Sequence, residues 1–115
     1  MADYIEVHVT AGDRGEAARI CRVVVERRLA ACAQVVGPIT STYWWEGKVE
    51  EAEEWLLLLK TTADLFDDLA ASVREAHSYD VPEIIAVPVR AGSADYLAWV
   101  ARETGPGSGV QHGVG

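Results

Sequence analysis

Hydrophobic and polar residues alternate near the start of the chain, where Ile5, Val7 and Val9 interleave with Glu6, His8 and Thr10. A period of two marks a strand with one buried face. Gly12-Asp13 breaks the pattern, and Asp13 with Glu16 three residues on has the spacing of a capping box. Ala17, Ile20, Cys21, Val24 and Val25 then fall on one helical stripe, with Arg19, Arg22 and Glu26 off it. This predicts an amphipathic helix ending near Ala30. A second extended segment, 33–45, is rich in Val, Ile, Thr, Tyr and Trp, and Gly37-Pro38 within it predicts a bulge or bend. Glu46-Gly47-Lys48 reads as a tight turn into a third strand, 49–60. Thr62 stands where it can cap a second helix, in which Leu65, Phe66, Leu69, Val73 and Ala76 recur at helical spacing. Residues 82–89 are strand-like again, and Ser93 opens a short final helix through Arg102.

The order is β-α-β-β-α-β with a terminal helix, two strand-helix-strand halves that specify an α+β, ferredoxin-like split β-α-β sandwich. In that topology the second and fourth strands are edges. Pro38 falls in the second, and Pro82 and Pro88 in the fourth, where a missing N–H is tolerated. At roughly 3.3 Å per residue the 33–45 strand is about 43 Å long. A domain of this size has a radius of gyration of only about 13 Å, so the hairpin of the second and third strands should project beyond its core. The run Trp55-Leu56-Leu57-Leu58-Leu59 does not alternate, which implies burial on both faces. Helices cover one face, and a second subunit is expected to cover the other.

Composition narrows the choice of partners. The chain has 115 residues, half of them apolar, enough for one domain with a modest core. The domain is expected over 1–104, and the Gly-rich stretch 105–115 is expected to be a disordered tail. A net charge of −8 disfavours nucleic acid and anionic lipid. No apolar stretch is long enough to span a membrane. The first residues lack the basic-then-apolar run of a signal peptide, so a cytoplasmic protein is expected. Cys21 and Cys32 are too few for a disulfide scaffold and are not spaced as a zinc ribbon or thioredoxin motif.

Five ordered blocks carry a family resemblance. They are Val9-Thr10-Ala11-Gly12-Asp13, Glu26-Arg27-Arg28-Leu29-Ala30-Ala31-Cys32, Tyr43-Trp44-Trp45-Glu46-Gly47-Lys48, Leu59-Lys60-Thr61-Thr62, and His77-Ser78-Tyr79-Asp80-Val81-Pro82-Glu83-Ile84. Tyr96-Leu97-Ala98-Trp99 fits the last helix of the same family. The chain resembles the CutA divalent-cation tolerance proteins over about residues 3 to 103. The resemblance implies a tight homotrimer whose long hairpins reach across neighbours, an architectural likeness to PII signalling proteins, and a link to tolerance of copper and other divalent cations. It attaches no reaction to the chain.

The residues richest in chemistry lie between His77 and Glu83, where an imidazole, a phenol and two carboxylates gather within seven positions. Imidazole and carboxylate suit borderline divalent metals such as copper or zinc, and a thiolate adds affinity for softer ones. His77, Glu83 and Cys32 are therefore the candidate metal ligands. Alternatively, His77 and Tyr79 cap the helix and hydrogen-bond across an interface, and Cys32 is inert packing. Lys60-Thr61-Thr62 joins a strand to a helix start and suits a small anion, with Tyr79 and Trp45 lining the same cleft; the competing roles are a snorkelling lysine and hairpin packing. Glu50, Glu51, Glu53 and Glu54 read as a solvated hairpin arm, and His8 as structural.

No nucleophile elbow, phosphate-binding loop or His-Glu-x-x-His pair occurs. The sequence therefore offers no catalytic constellation, and the family resemblance implies the expected function: a trimeric cytoplasmic protein of divalent-metal (copper) tolerance that binds metal ions without catalysis. The alternative is a PII-like signalling or adaptor module with a small anion at its inter-subunit clefts.

Overall fold

Ile5, Val7 and Val9 become the buried side of β1 (Tyr4–Ala11), and the capping signal after them starts α1 (Arg14–Glu26). The computed structural model describes residues 3–106, so most of the stretch read as a tail lies outside the described residues. Asp13 accepts the Glu16 N–H at 2.7 Å, which completes half of the capping box. The helix ends four residues before the expected Ala30. Arg28 adopts a left-handed φ of 62°, and the Leu29 and Ala30 N–H groups turn back to the Val24 carbonyl. Leu29 and Ala30 extend the apolar pattern because they tuck under the helix, with Ala30 buried.

β2 (Cys32–Trp45) and β3 (Lys48–Thr62) form the long hairpin, paired from Cys32 opposite Lys60 to Trp45 opposite Lys48. Its turn places Glu46 and Gly47 at φ 49° and 79°, the pair of positive values that matches strand twist in a two-residue loop. The register shifts between Val36 and Ile39, the irregularity expected at Gly37-Pro38, whose peptide bond is cis. A Cβ on Gly37 would stand 2.4 Å from the Trp55 ring, so the bulge is where this indole lies against bare backbone.

Thr62 occupies the cap position of a single 3-10 turn, Ala63–Leu65, but its side chain makes no cap bond. The Ala63 N–H instead donates to the Asp3 carbonyl at 2.8 Å. α2 (Phe66–Ala76) follows, and then β4 (Ile84–Pro88), which starts two residues later than expected and leaves Pro82 outside the strand. α3 (Ala94–Arg102) begins after Ser93, which likewise makes no side-chain cap.

The sheet order is β2-β3-β1-β4, antiparallel throughout, so the proline-bearing strands are the edges. α1 and α2 pack Ile20, Val24, Leu69 and Val73 against Val7, Val9, Leu57 and Leu59. Alternation puts Glu6, His8, Leu56, Leu58, Lys60, Ile85 and Val87 on the opposite face. Within one chain the Trp55–Leu59 run is therefore buried on one side only: Leu57 and Leu59 are enclosed, whereas Leu56 and Leu58 are half-buried. The described body measures 53 × 26 × 22 Å, with a radius of gyration of 15.1 Å. That exceeds the compact expectation because the hairpin projects, carrying Trp44 and Trp45 at 75% and 60% exposure near its tip.

Candidate functional site

α2 stops where His77 turns extended, at φ −89° and ψ 145°. The helix's orphan Ala76 carbonyl is met by the Arg19 guanidinium at 2.7 Å. The His77 ring is driven inward to 0% exposure and bonds on both sides. Its Nδ1 accepts the Tyr79 N–H at 3.0 Å, which places the ring proton on Nε2 for donation to the Thr10 carbonyl at 2.7 Å. The Ser78 N–H donates to Glu16 Oε2 at 2.7 Å, and that carboxylate lies 3.8 Å from His77 Nδ1. Burial pushes the Glu16 carboxyl upward, but hydrogen bonds from the Ser78 hydroxyl and N–H and from the Gly12 N–H outweigh it and hold the group below its ordinary value.

Tyr79 stacks at a tilt on His77, with centroids 4.7 Å apart, and donates its hydroxyl to Glu54 Oε2 at 2.9 Å. Burial, and then the Glu54 carboxylate, push the phenol up to about 12. Gly12 allows the approach, since a Cβ there would sit 3.0 Å from the Tyr79 hydroxyl. Glu54, read from sequence as part of a solvated acidic run, is instead buried at the root of the projecting arm.

The candidate metal ligands stand apart. Among the described residues, no group of three His, Cys, Asp or Glu side chains is placed to hold a metal ion. His77 has no free ring nitrogen. Glu83 is exposed just before β4. Cys32 is half-buried at the start of β2, opposite Lys60 and beside the Tyr96 hydroxyl, whose pKa is raised by burial and by this thiol. The set does not fit a metal within one chain. Cys21 is core packing, its thiol pushed up to about 11 by burial.

The residues read as one ligand cleft also separate. Lys60 and Thr61 line a groove of about 240 Å³ with Tyr4, Glu6, Tyr96 and Leu97. Trp45 lies at the hairpin tip, and Tyr79 lies against Gly12, past the other end of β1. Lys60 Nζ is hydrogen-bonded to Gln34 Oε1 and lies 3.5 Å from Glu6 Oε1, so its charge is already met. Thr61 is fully buried, and its Oγ1 is a buried side-chain polar atom without a hydrogen-bond partner. Sequence reasoning missed Thr10, Glu16 and Glu54 as partners of the His77 turn. Thr10 acts through its carbonyl, which leaves no side-chain signal, and Glu16 was accounted for as a helix cap.

An antiparallel four-stranded sheet with α1 and α2 on one face, an overlong hairpin and a pinned turn after the second helix define a ferredoxin-like α+β protein. The CutA1 divalent ion tolerance protein family matches residues 5–103, and the chain belongs to that family. It is 43% identical over 99 residues to the divalent-cation tolerance protein CutA of Thermus thermophilus, covering 86% of this chain and 96% of that one. The solved Thermus structure superposes with a TM-score of 0.87, at 42% identity over 89% of this chain and 99% of its own. The chloroplastic protein CutA 1 of rice is 42% identical over 100 residues, or 87% of this chain and 56% of the rice protein. The chain spans about half the length of the plant and mammalian relatives it matches. A CutA from Archaeoglobus fulgidus described as periplasmic superposes with a TM-score of 0.80, at 38% identity over 87% of this chain and 95% of its own. No helix among the described residues is long and apolar enough to cross a membrane.

Proposed function

We propose that the chain serves divalent-cation tolerance as a cytoplasmic homotrimer that binds copper or zinc ions without catalysing a reaction. The observation that carries assembly is the uncovered sheet face: Leu56, Leu58, Ile85 and Val87 lie there without a layer of their own, and a hairpin with exposed tryptophans projects past the core. Apolar surface of that extent favours a protein partner, and a ribbon of two strands is marginal alone. The metal role is supported by family membership and by the divalent-cation tolerance named for the Thermus relative. Glu83 and Cys32 are the donors left once His77 is committed, and because they do not meet within one chain, a metal held by either needs further ligands. Two free thiols accord with a reducing compartment.

Light scattering on the full chain at micromolar concentration tests assembly, with three times the 12.5 kDa chain mass expected; a monomeric mass refutes it. Zinc calorimetry on the wild type, Glu83→Gln and Cys32→Ser tests binding. Affinity weaker than about millimolar, or unchanged in both variants, defeats the ligand assignment.

A further inference from the structure

A protein linked to divalent cations, with one buried histidine in its most polar turn, invites the assignment of that histidine as a ligand. The geometry points the other way. Imidazole binds a metal through a ring-nitrogen lone pair, and the neutral ring has only one. In His77 that lone pair receives the Tyr79 N–H, and the ring proton is committed to the Thr10 carbonyl. A cation at Nδ1 would strip a backbone N–H of its partner; a cation at Nε2 would displace the proton and detach the turn from β1. The nearest carboxylate, Glu16, is filled by Ser78. We propose that His77 is a positioning residue for the turn between α2 and β4, and that divalent cations engage this protein without contacting its imidazole.

What His77 positions is Tyr79. The ring fixes the Tyr79 backbone through Nδ1 and supports its aromatic face, which leaves the hydroxyl on Glu54 at the root of the hairpin. One side chain thereby links the end of α2, the end of β1 and the base of the arm.

Glutamine separates positioning from ligation, because its amide offers one carbonyl acceptor and an N–H donor yet is a poor metal ligand. The test uses full-length ¹⁵N-labelled protein with and without zinc sulfate. Long-range ¹H–¹⁵N spectra read the histidine ring nitrogens, and amide exchange reads β2 and β3 in the wild type, His77→Gln and His77→Ala. The expected spectrum is the Nε2–H form of His77, unmoved by zinc. His77→Gln keeps hairpin protection and zinc affinity near the wild-type values, whereas His77→Ala accelerates exchange around Glu54 by about tenfold or more. Zinc-dependent movement of the His77 nitrogens overturns the proposal, as does a loss of zinc affinity of about tenfold in a folded His77→Gln. A loss of protection in His77→Gln equal to that in His77→Ala overturns the positioning role. If zinc binds nowhere, the metal-binding reading above fails, while the ring tautomer and the glutamine rescue still decide what His77 positions. Should His77→Ala not fold, Tyr79→Phe supplies the loosened hairpin for comparison.

Discussion

The Tyr79 hydroxyl and the Glu54 carboxylate, 25 positions apart in sequence, meet at 2.9 Å and join the turn after α2 to the base of the hairpin. Tyr79→Phe removes the donor and leaves a buried carboxylate without it, so a loss of about 1–2 kcal/mol in unfolding free energy is expected at neutral pH. The contribution also depends on pH. The folded-state phenol titrates at about 12, above its ordinary value of 10.0, so the stabilisation is full below pH 10 and disappears as pH rises toward 12. Denaturant melts of both proteins at pH 8 and pH 11.5 check this. A gap that does not narrow at the higher pH contradicts it.

Glu16 gives the opposite pH signature. Its carboxyl is held below the ordinary value of 4.5 despite burial, because Ser78 hydrogen-bonds to the charged form. Its stabilisation is therefore present above pH 4.5 and lost as pH falls through the depressed folded value. Glu16→Gln should be less stable by about 1–2 kcal/mol at pH 7, with the difference closing in acid. Parallel thermal melts between pH 3 and pH 7 measure it, and a constant difference would refute the assignment.

Gly37→Ala places a methyl group inside van der Waals contact with the Trp55 indole, 2.4 Å from its nearest carbon. Because the ring lies against the core, relief requires movement of the strand. A cost of about 1–3 kcal/mol is expected, with a shift in tryptophan emission as Trp55 is displaced. Unchanged emission and stability would mean that the bulge relaxes freely.

Thr61 presents the reverse case. Its buried hydroxyl lacks a partner, so Thr61→Val removes an unmet polar atom at nearly constant shape. Stability should hold or rise by up to about 1 kcal/mol. A loss above that size in urea melts would reveal a partner for the hydroxyl.

Leu57 and Leu58 are neighbours with opposite duties. Leu57→Ala empties the enclosed core and should cost about 2–5 kcal/mol. Leu58→Glu alters only the face proposed for assembly, so the chain should stay folded by circular dichroism, and the proposed assembly predicts a fall in light-scattering mass to that of one chain. An assembly indifferent to Leu58→Glu would place the contact elsewhere.

Regular structure was the readable part of this chain. Alternation in β1, the helical stripe through Ile20 and Val24, and Pro38 and Pro88 in the second and fourth strands specify which elements form and which strands lie outside, because each pattern is local. The misplaced boundary at α1 has a local cause too: Leu29 and Ala30 are apolar whether they continue a helix or fold beneath it, and only the left-handed Arg28 decides. The His77 turn was less legible. Its position stood out from residue types, but its partners are a backbone carbonyl on β1, a cap residue on α1 and one glutamate from an acidic run. Those contacts are set by how the sheet and helices stack, and no spacing encodes them. The same limit separated Lys60 from Tyr79, adjacent as chemistry but at opposite ends of β1.

The close of the described chain has a practical use. Arg28 holds the Glu103 carboxylate at 2.9 Å, and its carbonyl accepts the Gly105 N–H at 2.9 Å, so α3 is fastened to the corner between α1 and β2. From that corner β2 runs its full 14 residues to the tip at Trp45. A dye at Pro106 and another at Gly47 would thus be separated by roughly the length of the arm, about 46 Å at 3.3 Å per residue, within the working range of energy transfer. Such a pair would be a ruler for the straightness of the arm in solution, read without disturbing the core.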